Sequence, residues 1–355
     1  MNDYLRSDLK DLKPYRANVA PYRIKMDANE SPFDMPDRVR KQLAEELLAG
    51  SGLNLYPDSD ATGLRKSISE YCNVHPDEII VGAGSDELIQ VIINALVDRG
   101  EAVLYPSPSF GMYGIFTRIA GGIPLEVALK EDFCYDVDGF YKAIELYKPK
   151  LIFICSPNNP TGNILELNKL EELTKNFSGV VAVDEAYGEF CEYSAVELIE
   201  QCPNIVVLKT FSKAMGLAGL RVGYLIANKG LVDQINAVKP PYNVSSFSQR
   251  AAQLVLENMD IIRDRISKII NERERLYTEL NSVGGVHVYP SKANFLLIRV
   301  NDADEIYEKL TEEGILVRNF PGNQLLKDCL RITVGTSEDN DIFLKTLKQI
   351  LPSIR

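Results

Sequence analysis

Lys213 stands in KTFSKAMGLAGLRVGY, between a hydroxyl-rich turn (Thr210, Ser212) and a glycine-rich segment (Gly216, Gly219) that ends at Arg221. Its amine is a nucleophile toward carbonyl carbon. Hydroxyls, bared backbone N–H groups and a guanidinium are the donors a phosphate takes. The combination suits a phosphorylated aldehyde, pyridoxal phosphate, held by the lysine as a Schiff base. A surface lysine ahead of a loop is the competing reading of this stretch alone.

Four more polar clusters follow apolar runs. In VGAGSDE, the backbone N–H groups of Ser85 and Asp86 open a helix and face an anion on its axis. The same residues also read as a plain turn with Asp86 as N-cap. As a dinucleotide fingerprint the run is weak, because Glu87 stands at the third glycine position. In CSPNNPTGN, Pro157, Pro160 and Gly162 enforce a turn, and Asn159 either offers its amide to a ligand or serves the turn only. In VVAVDEAYGEF, Asp184 ends a run of apolar residues, where a carboxylate is costly unless it meets a cation. It is either the cap of the next helix or the partner of a protonated ring nitrogen, with Tyr187 in reach of a ring oxygen. Phe110, in PSPSFGMY, is either a core aromatic or a stacking face for a planar group. Arg331 in CLRITVGT and Arg318 in GILVRNF lie in apolar strand contexts, which favours a carboxylate or phosphate partner.

The elements that must position these residues alternate. Amphipathic helices are expected over residues 38–48, 64–71, 86–97, 110–119, 137–146 and 165–174. Between them run strands at 78–81, 102–104, 123–127, 151–154, 180–183 and 205–208, several of them uninterruptedly apolar. Such strands between helices indicate a mostly parallel sheet covered on both faces, with ligands at the carboxyl ends of its strands. From Ser246 the character changes. Helices are expected over 248–256, 260–280, 303–312 and 339–351, with short strands at 286–289, 295–299, 316–318 and 331–334. This is the pattern of a smaller α+β domain, with which the N-terminal segment is expected to pack. The expected division is 52–256 for the large domain, and 1–51 with 257–355 for the small one.

The chain has 355 residues, 45% hydrophobic and 25% charged, with a formal net charge of −11. That balance argues against nucleic acid and against a polybasic membrane anchor. There is no signal-peptide pattern and no apolar run of membrane-spanning length. Six dispersed cysteines suit a reduced, cytoplasmic protein. With His75 and His287 as its two histidines, the chain offers neither a His-based triad nor a multi-His metal site, and no metal is expected.

Taken in order, DANESPF, YPD, GSDE, SPNNPTG, VDEAY, SKAMGLAGLRVGY, PYNVSSFSQ, ANF, VRNF and LRITVGT resemble the fold-type I, class I and II pyridoxal-phosphate aminotransferases over nearly the whole chain. Within that family the chain looks most like the branch acting on histidinol phosphate. The resemblance implies a seven-stranded, mostly parallel sheet sandwiched by helices, plus a smaller α+β domain. It implies that Lys213 carries the cofactor, that Asp184 pairs with its ring nitrogen, and that Asn159 and Tyr187 bond its ring oxygen under a stacked Phe110. Ser85, Asp86, Thr210, Ser212 and Arg221 would hold the cofactor phosphate, and Tyr56 would reach that of a second subunit in a homodimer. Arg331 would clamp the carboxylate of the acceptor, 2-oxoglutarate, near Asn29 and Asn159, while Arg318 and Tyr15 would contact the phosphate of the amino donor. The chain departs from the pattern in a short segment between Tyr15 and Asp27, in Leu55 where an arginine often precedes YPD, and in Phe110 where a tyrosine is frequent. Alternatives within the fold are an aromatic aminotransferase and a threonine-phosphate decarboxylase. Outside enzymes, the alternative is a cofactor-binding regulator.

Overall fold

A computed structural model describes residues 4–14, 19–50 and 52–351. The chain begins with β1 (Ile24–Lys25), α1 (Asp37–Leu48), α2 (Thr62–Cys72), β2 (Ile79–Gly82), α3 (Ser85–Leu96), β3 (Ala102–Ser107), α4 (Met112–Ala120) and β4 (Ile123–Ala128). It continues with α5 (Val137–Tyr147), β5 (Leu151–Cys155), α6 (Leu167–Lys175), β6 (Val180–Asp184), β7 (Ile205–Thr210), β8 (Gly223–Ala227), α7 (Lys229–Asn236), α8 (Ser246–Leu256) and α9 (Met259–Asn281). The last part holds β9 (Val286–Tyr289), β10 (Phe295–Val300), α10 (Ala303–Glu312), β11 (Ile315–Leu316), β12 (Arg318–Asn319), β13 (Cys329–Thr333) and α11 (Ser337–Ile350).

Seven strands form one sheet in the order β2-β8-β7-β6-β5-β3-β4. β4, β3, β5, β6 and β7 run parallel, and β8 is antiparallel to both β7 and β2. The uninterrupted apolar runs are explained by helices on both faces. Ile152, Ile154, Val181, Val183 and Val207 point into one hydrophobic cluster, with α2, α5, α6 and α8. Leu151, Phe153, Ala182, Val206 and Leu208 point into another, with α3, α4 and α7. Successive side chains alternate between faces, so both sets must be apolar.

A four-stranded sheet, β12-β13-β10-β9, is wholly antiparallel. It shares a cluster of buried residues with α9, α10 and α11. β1 pairs in parallel with β11, so the N-terminal segment is tied to the C-terminal part of the chain.

The structure differs from the sequence expectation in several elements. β8 and α7 were not anticipated, because LRVGYLIANKG follows a glycine-rich turn with no polar break to announce a strand. The expected strand over 316–318 is two strands, since the chain leaves β1 after Leu316 and joins β13 at Arg318. The cap of α3 is Gly84, at φ 84°, not Asp86, which lies inside the first turn. The positive φ favours glycine there, and a Cβ would come within 2.4 Å of the end of the Arg221 guanidinium.

Candidate active site

Parallel strands deliver their last residues to one edge of the sheet. Phe110 follows β3, Asn159 follows β5, Asp184 ends β6, and Thr210 ends β7 with Lys213 three residues on. The crossover connections run back to the opposite edge, so these polar residues gather where the sheet has no further hydrogen-bonding demand.

Lys213 Nζ donates to the carbonyl oxygen of Ala28 at 2.9 Å and lies 5.9 Å from the centre of the Tyr187 ring. Burial, and then the positive charge of Arg331, lower its pKa from the ordinary lysine value to about 8. A neutral amine, and so a nucleophile or proton acceptor, is therefore accessible near neutral pH.

Asp184 is buried. Its Oδ1 accepts from the Ala186 N–H at 3.0 Å and its Oδ2 from the Tyr113 hydroxyl at 2.7 Å. Burial pushes its pKa up to about 6, against the pull of those two bonds. A carboxylate so placed favours a cationic partner.

Tyr187 is buried against Phe295, edge to face at 5.1 Å. Its hydroxyl accepts from Asn29 Nδ2 at 3.0 Å, and burial holds its pKa above the usual tyrosine range. Asn29 has a positive φ of 53° and is locked by Thr333, whose hydroxyl accepts from its N–H and donates to its Oδ1. Arg331 donates to Asn159 Oδ1 and to the carbonyl of Asp27, with its guanidinium 5.4 Å from the centre of the Phe295 ring. Arg318 is the register partner of Arg331 across β12 and β13. Directly opposed residues of antiparallel strands share a face, so the two guanidinium groups are presented on one side.

The anion donors gather separately. Arg221 donates to Ser212 Oγ at 3.3 Å and pairs with Asp86 at 3.3 Å. The Thr210 hydroxyl donates to Ser212 Oγ at 3.0 Å. A Cβ at Gly223 would come within 2.4 Å of the Ser85 nitrogen, which fixes the start of α3 against β8. The N–H groups of the first turn of α3, the Ser212 hydroxyl and Arg221 thus converge on one place with net donor character.

Two of the anticipated residues are not placed in this cluster. Tyr56 is 83% exposed and stacks on Tyr242 with ring centres 4.8 Å apart. Tyr15 lies outside the described residues.

The sequence reading missed several contributors. Asn158 is fully buried and ties the turns after β3 and β5 together: it donates to the Pro108 carbonyl at 3.0 Å and to Thr161 at 2.6 Å, and accepts from Ser109 at 2.6 Å. The Asn-Asn doublet is its one sequence signal. Lys209 is buried between Glu185 and Glu189, at 3.1 and 3.2 Å. Burial alone would lower its pKa, but Glu189 and Glu185 outweigh that and hold it well above the ordinary value. A lysine adjoining an apolar run gives no hint of such a partner. Tyr113 has no sequence signal beyond its place at the start of a helix.

With a lysine of lowered pKa, a buried carboxylate, an anion cradle and a guanidinium at the carboxyl edge of a doubly covered sheet, the architecture is that of a group-transfer enzyme. The chain belongs to the family Aminotransferase class I and II, whose model matches residues 22–347. Among its relatives, histidinol-phosphate aminotransferase of Thermoanaerobacter sp. (strain X514) is 46% identical over 351 residues, 99% of either chain. That of Ruminiclostridium cellulolyticum is 46% identical over 353 residues, again 99% of each. The histidinol-phosphate aminotransferase of Sinorhizobium meliloti, solved in complex with pyridoxal-5'-phosphate, superposes with a TM-score of 0.90 over 100% of this chain and 99% of that one, at 23% identity.

Proposed function

We propose that this chain transfers the amino group of L-histidinol phosphate to 2-oxoglutarate, giving imidazole acetol phosphate and L-glutamate, with pyridoxal 5'-phosphate as cofactor, in histidine biosynthesis. The full-length identity to enzymes of that name supports the assignment. In the geometry, the observation that carries it is the register of Arg318 on Arg331. One substrate bears a phosphate and the other a carboxylate beside its oxo group, and the register puts one cation for each, Arg318 and Arg331, on the same face.

The residues fit the cofactor. A pyridine ring whose nitrogen is protonated finds its counter-ion in Asp184, and a phosphate finds the donors of Ser85, Asp86, Thr210, Ser212 and Arg221. The Asp86 carboxylate is already neutralised by Arg221. Phe110 supplies a face for stacking, and Asn159 and Tyr187 supply polar groups for the ring oxygen. When bound, the cofactor supplies an electron sink and carries the amino group between the two substrates.

The chain's own residues do the rest. Lys213 would hold the cofactor covalently, and its Nζ, when free, is the group to take the proton from the amino-bearing carbon of the substrate. The lowered pKa keeps a substantial fraction of that amine neutral at pH 7 to 8. Asp184 stays ionised against the ring nitrogen. Arg331 holds a carboxylate in a fork that Asn159 and the Asp27 carbonyl keep oriented. Asn29 positions the Tyr187 hydroxyl. Arg318 is assigned to the substrate phosphate, with Tyr15 as its expected companion.

Residues 52–256 are read as a cofactor-binding domain and 1–51 with 257–355 as a smaller one. Every strand of the seven-stranded sheet falls in the first range, and β1 and β11, from opposite ends of the chain, pair within the second. A homodimer is proposed from the exposed stack of Tyr56 on Tyr242, flanked by exposed Leu53 and Leu55. In a second copy that patch would be covered and Tyr56 would reach the partner's phosphate cradle. No helix among the described residues is long and apolar enough to cross a membrane, and the cytoplasm is the proposed location for a biosynthetic enzyme of this kind.

The deciding experiment is turnover of L-histidinol phosphate against L-phenylalanine with 2-oxoglutarate as acceptor. Histidinol phosphate should be the better donor. No turnover of the phosphate ester would sink the assignment in favour of an aromatic aminotransferase, and release of carbon dioxide from threonine phosphate would favour a decarboxylase. Borohydride should bleach the purified yellow protein and fix the cofactor on Lys213.

A further inference from the structure

Tyr113 lies on α4, fully buried. Its hydroxyl donates to Asp184 Oδ2 at 2.7 Å. Its ring is fixed by three others. It stacks on Phe153, with centres 4.7 Å apart and planes 10° from parallel. Phe110 meets it edge to face at 5.6 Å, and Tyr105 leans on it at 6.2 Å. The Thr117 hydroxyl caps its carbonyl at 2.8 Å. A ring clamped in this way cannot follow a carboxylate that rotates. The direction of the hydroxyl therefore decides where Oδ2 points, while the Ala186 N–H holds Oδ1. The hydroxyl also remains a donor, because burial, and then the charge of Asp184, keep the phenol protonated.

We propose that Tyr113 is a positioning residue for Asp184, holding its carboxylate ionised and aimed at the cofactor's ring nitrogen, so that Tyr113 sets the pH below which the protein releases the pyridine ring. The proposal rests on the assignment of Asp184 to that nitrogen. The physical reason is that a hydrogen bond donated to a carboxylate stabilises its charged form alone. Deep burial has driven Asp184 up to about 6, within reach of physiological pH, so a single donor decides whether it is charged there.

Other groups face Asp184 from each side. Asp86 on α3 and the adjacent Glu185 add to the upward push. Cys155 at the end of β5, pushed up to about 12 by burial, stays a thiol. Tyr135, which follows β4, and Tyr187 stay phenols for the same reason. Among Asp184, Cys155, Tyr135 and Tyr187, Asp184 is thus the one that changes charge between pH 5 and 7. Lys213 follows at about 8, so the probe should make no bond to it.

The test is the dissociation constant of pyridoxamine phosphate from the full-length cofactor-free chain, by isothermal titration between pH 5 and 9. It is measured for wild type, Tyr113→Phe, Asp184→Asn and the double variant. Tyr113→Phe keeps all three ring contacts and removes the hydroxyl. Its affinity should be roughly tenfold weaker at pH 5 but only about twofold weaker at pH 7, with the midpoint moved up by about one pH unit and convergence on wild type above pH 8. In the Asp184→Asn background the same substitution should change nothing. Wild-type affinity and midpoint in Tyr113→Phe, with weak binding in Asp184→Asn, would overturn the role of Tyr113 alone. Equal weakening at every pH, persisting in the double variant, would do the same, by reducing Tyr113 to packing. Wild-type affinity in Asp184→Asn would overturn the ring-nitrogen assignment and this proposal with it. The pH at which dialysis strips cofactor from the purified holoenzyme reads the same midpoint independently, should Tyr113→Phe fold poorly without ligand.

Discussion

Lys213 and Ala28 are 185 residues apart in the chain, and the lysine amine donates directly to the alanine carbonyl at 2.9 Å. The reactive side chain of the large sheet is thus held by backbone from the N-terminal segment, which β1 ties to β11 at the far end of the chain. The same short segment supplies the Asp27 carbonyl to Arg331 and the Asn29 amide to Tyr187. The site is a junction of three stretches distant in sequence.

Replacing Lys213 with Ala removes both the proposed covalent anchor and the proposed proton acceptor. Transamination should fall by roughly 10⁴-fold or more, and borohydride should no longer fix cofactor on the protein, although cofactor can still bind through the phosphate cradle. A Lys213→Ala enzyme with turnover near wild type would refute the assignment. In wild type, the rate of amine modification at Lys213 in cofactor-free protein should rise through pH about 8, as the burial-lowered pKa requires.

Asp184 makes cofactor-free protein pH-sensitive in an unusual direction. Its pKa is raised from 3.8 to about 6 by burial. The stability it contributes is fully present below about pH 4 and is lost as pH rises through 6, because the folded state then carries a buried charge. The loss is at most about 3 kcal/mol, from a shift of about two units. Cofactor-free Asp184→Asn should therefore be more stable than wild type above pH 6 and match it near pH 4. Urea unfolding at the two pH values checks this, and equal stability at pH 8 would contradict it.

Arg331→Lys keeps the charge and loses the planar fork, together with the bonds that Asn159 and Asp27 make to it. The KM for 2-oxoglutarate should rise roughly tenfold to a hundredfold. Arg318→Gln should instead lower kcat/KM for histidinol phosphate by a similar factor and leave the 2-oxoglutarate half-reaction nearly unchanged. The two half-reactions can be measured separately by single-turnover kinetics. Equal effects of Arg318→Gln on both halves would remove it from the phosphate.

Lys209 neutralises two carboxylates in a buried place. Lys209→Met would leave Glu185 and Glu189 without their cation and should destabilise the protein by about 3–5 kcal/mol. Stability measured by urea unfolding should recover in part at low pH, where the carboxylates take up protons.

The amino-acid order by itself determined the alternation of apolar strands and amphipathic helices. That alternation required a covered, mostly parallel sheet with polar residues at its carboxyl ends, because each buried strand had to be apolar on both faces. The polar residues gathered at that edge were legible for the same reason: Asp184, Asn159 and Lys213 each interrupt or follow an apolar run in which a polar side chain is expensive. β8 was not legible, since its apolar run follows a glycine-rich turn. Only the tertiary structure decided which residues serve the site without interrupting anything. The Ala28 carbonyl has no side-chain signature, Asn158 hides in a turn whose prolines explain it already, and Tyr113 and Lys209 look like ordinary helix and strand residues. Their roles come from partners dozens to hundreds of positions away, and a hydrogen bond or a buried ion pair depends on distance in space, which local pattern does not encode.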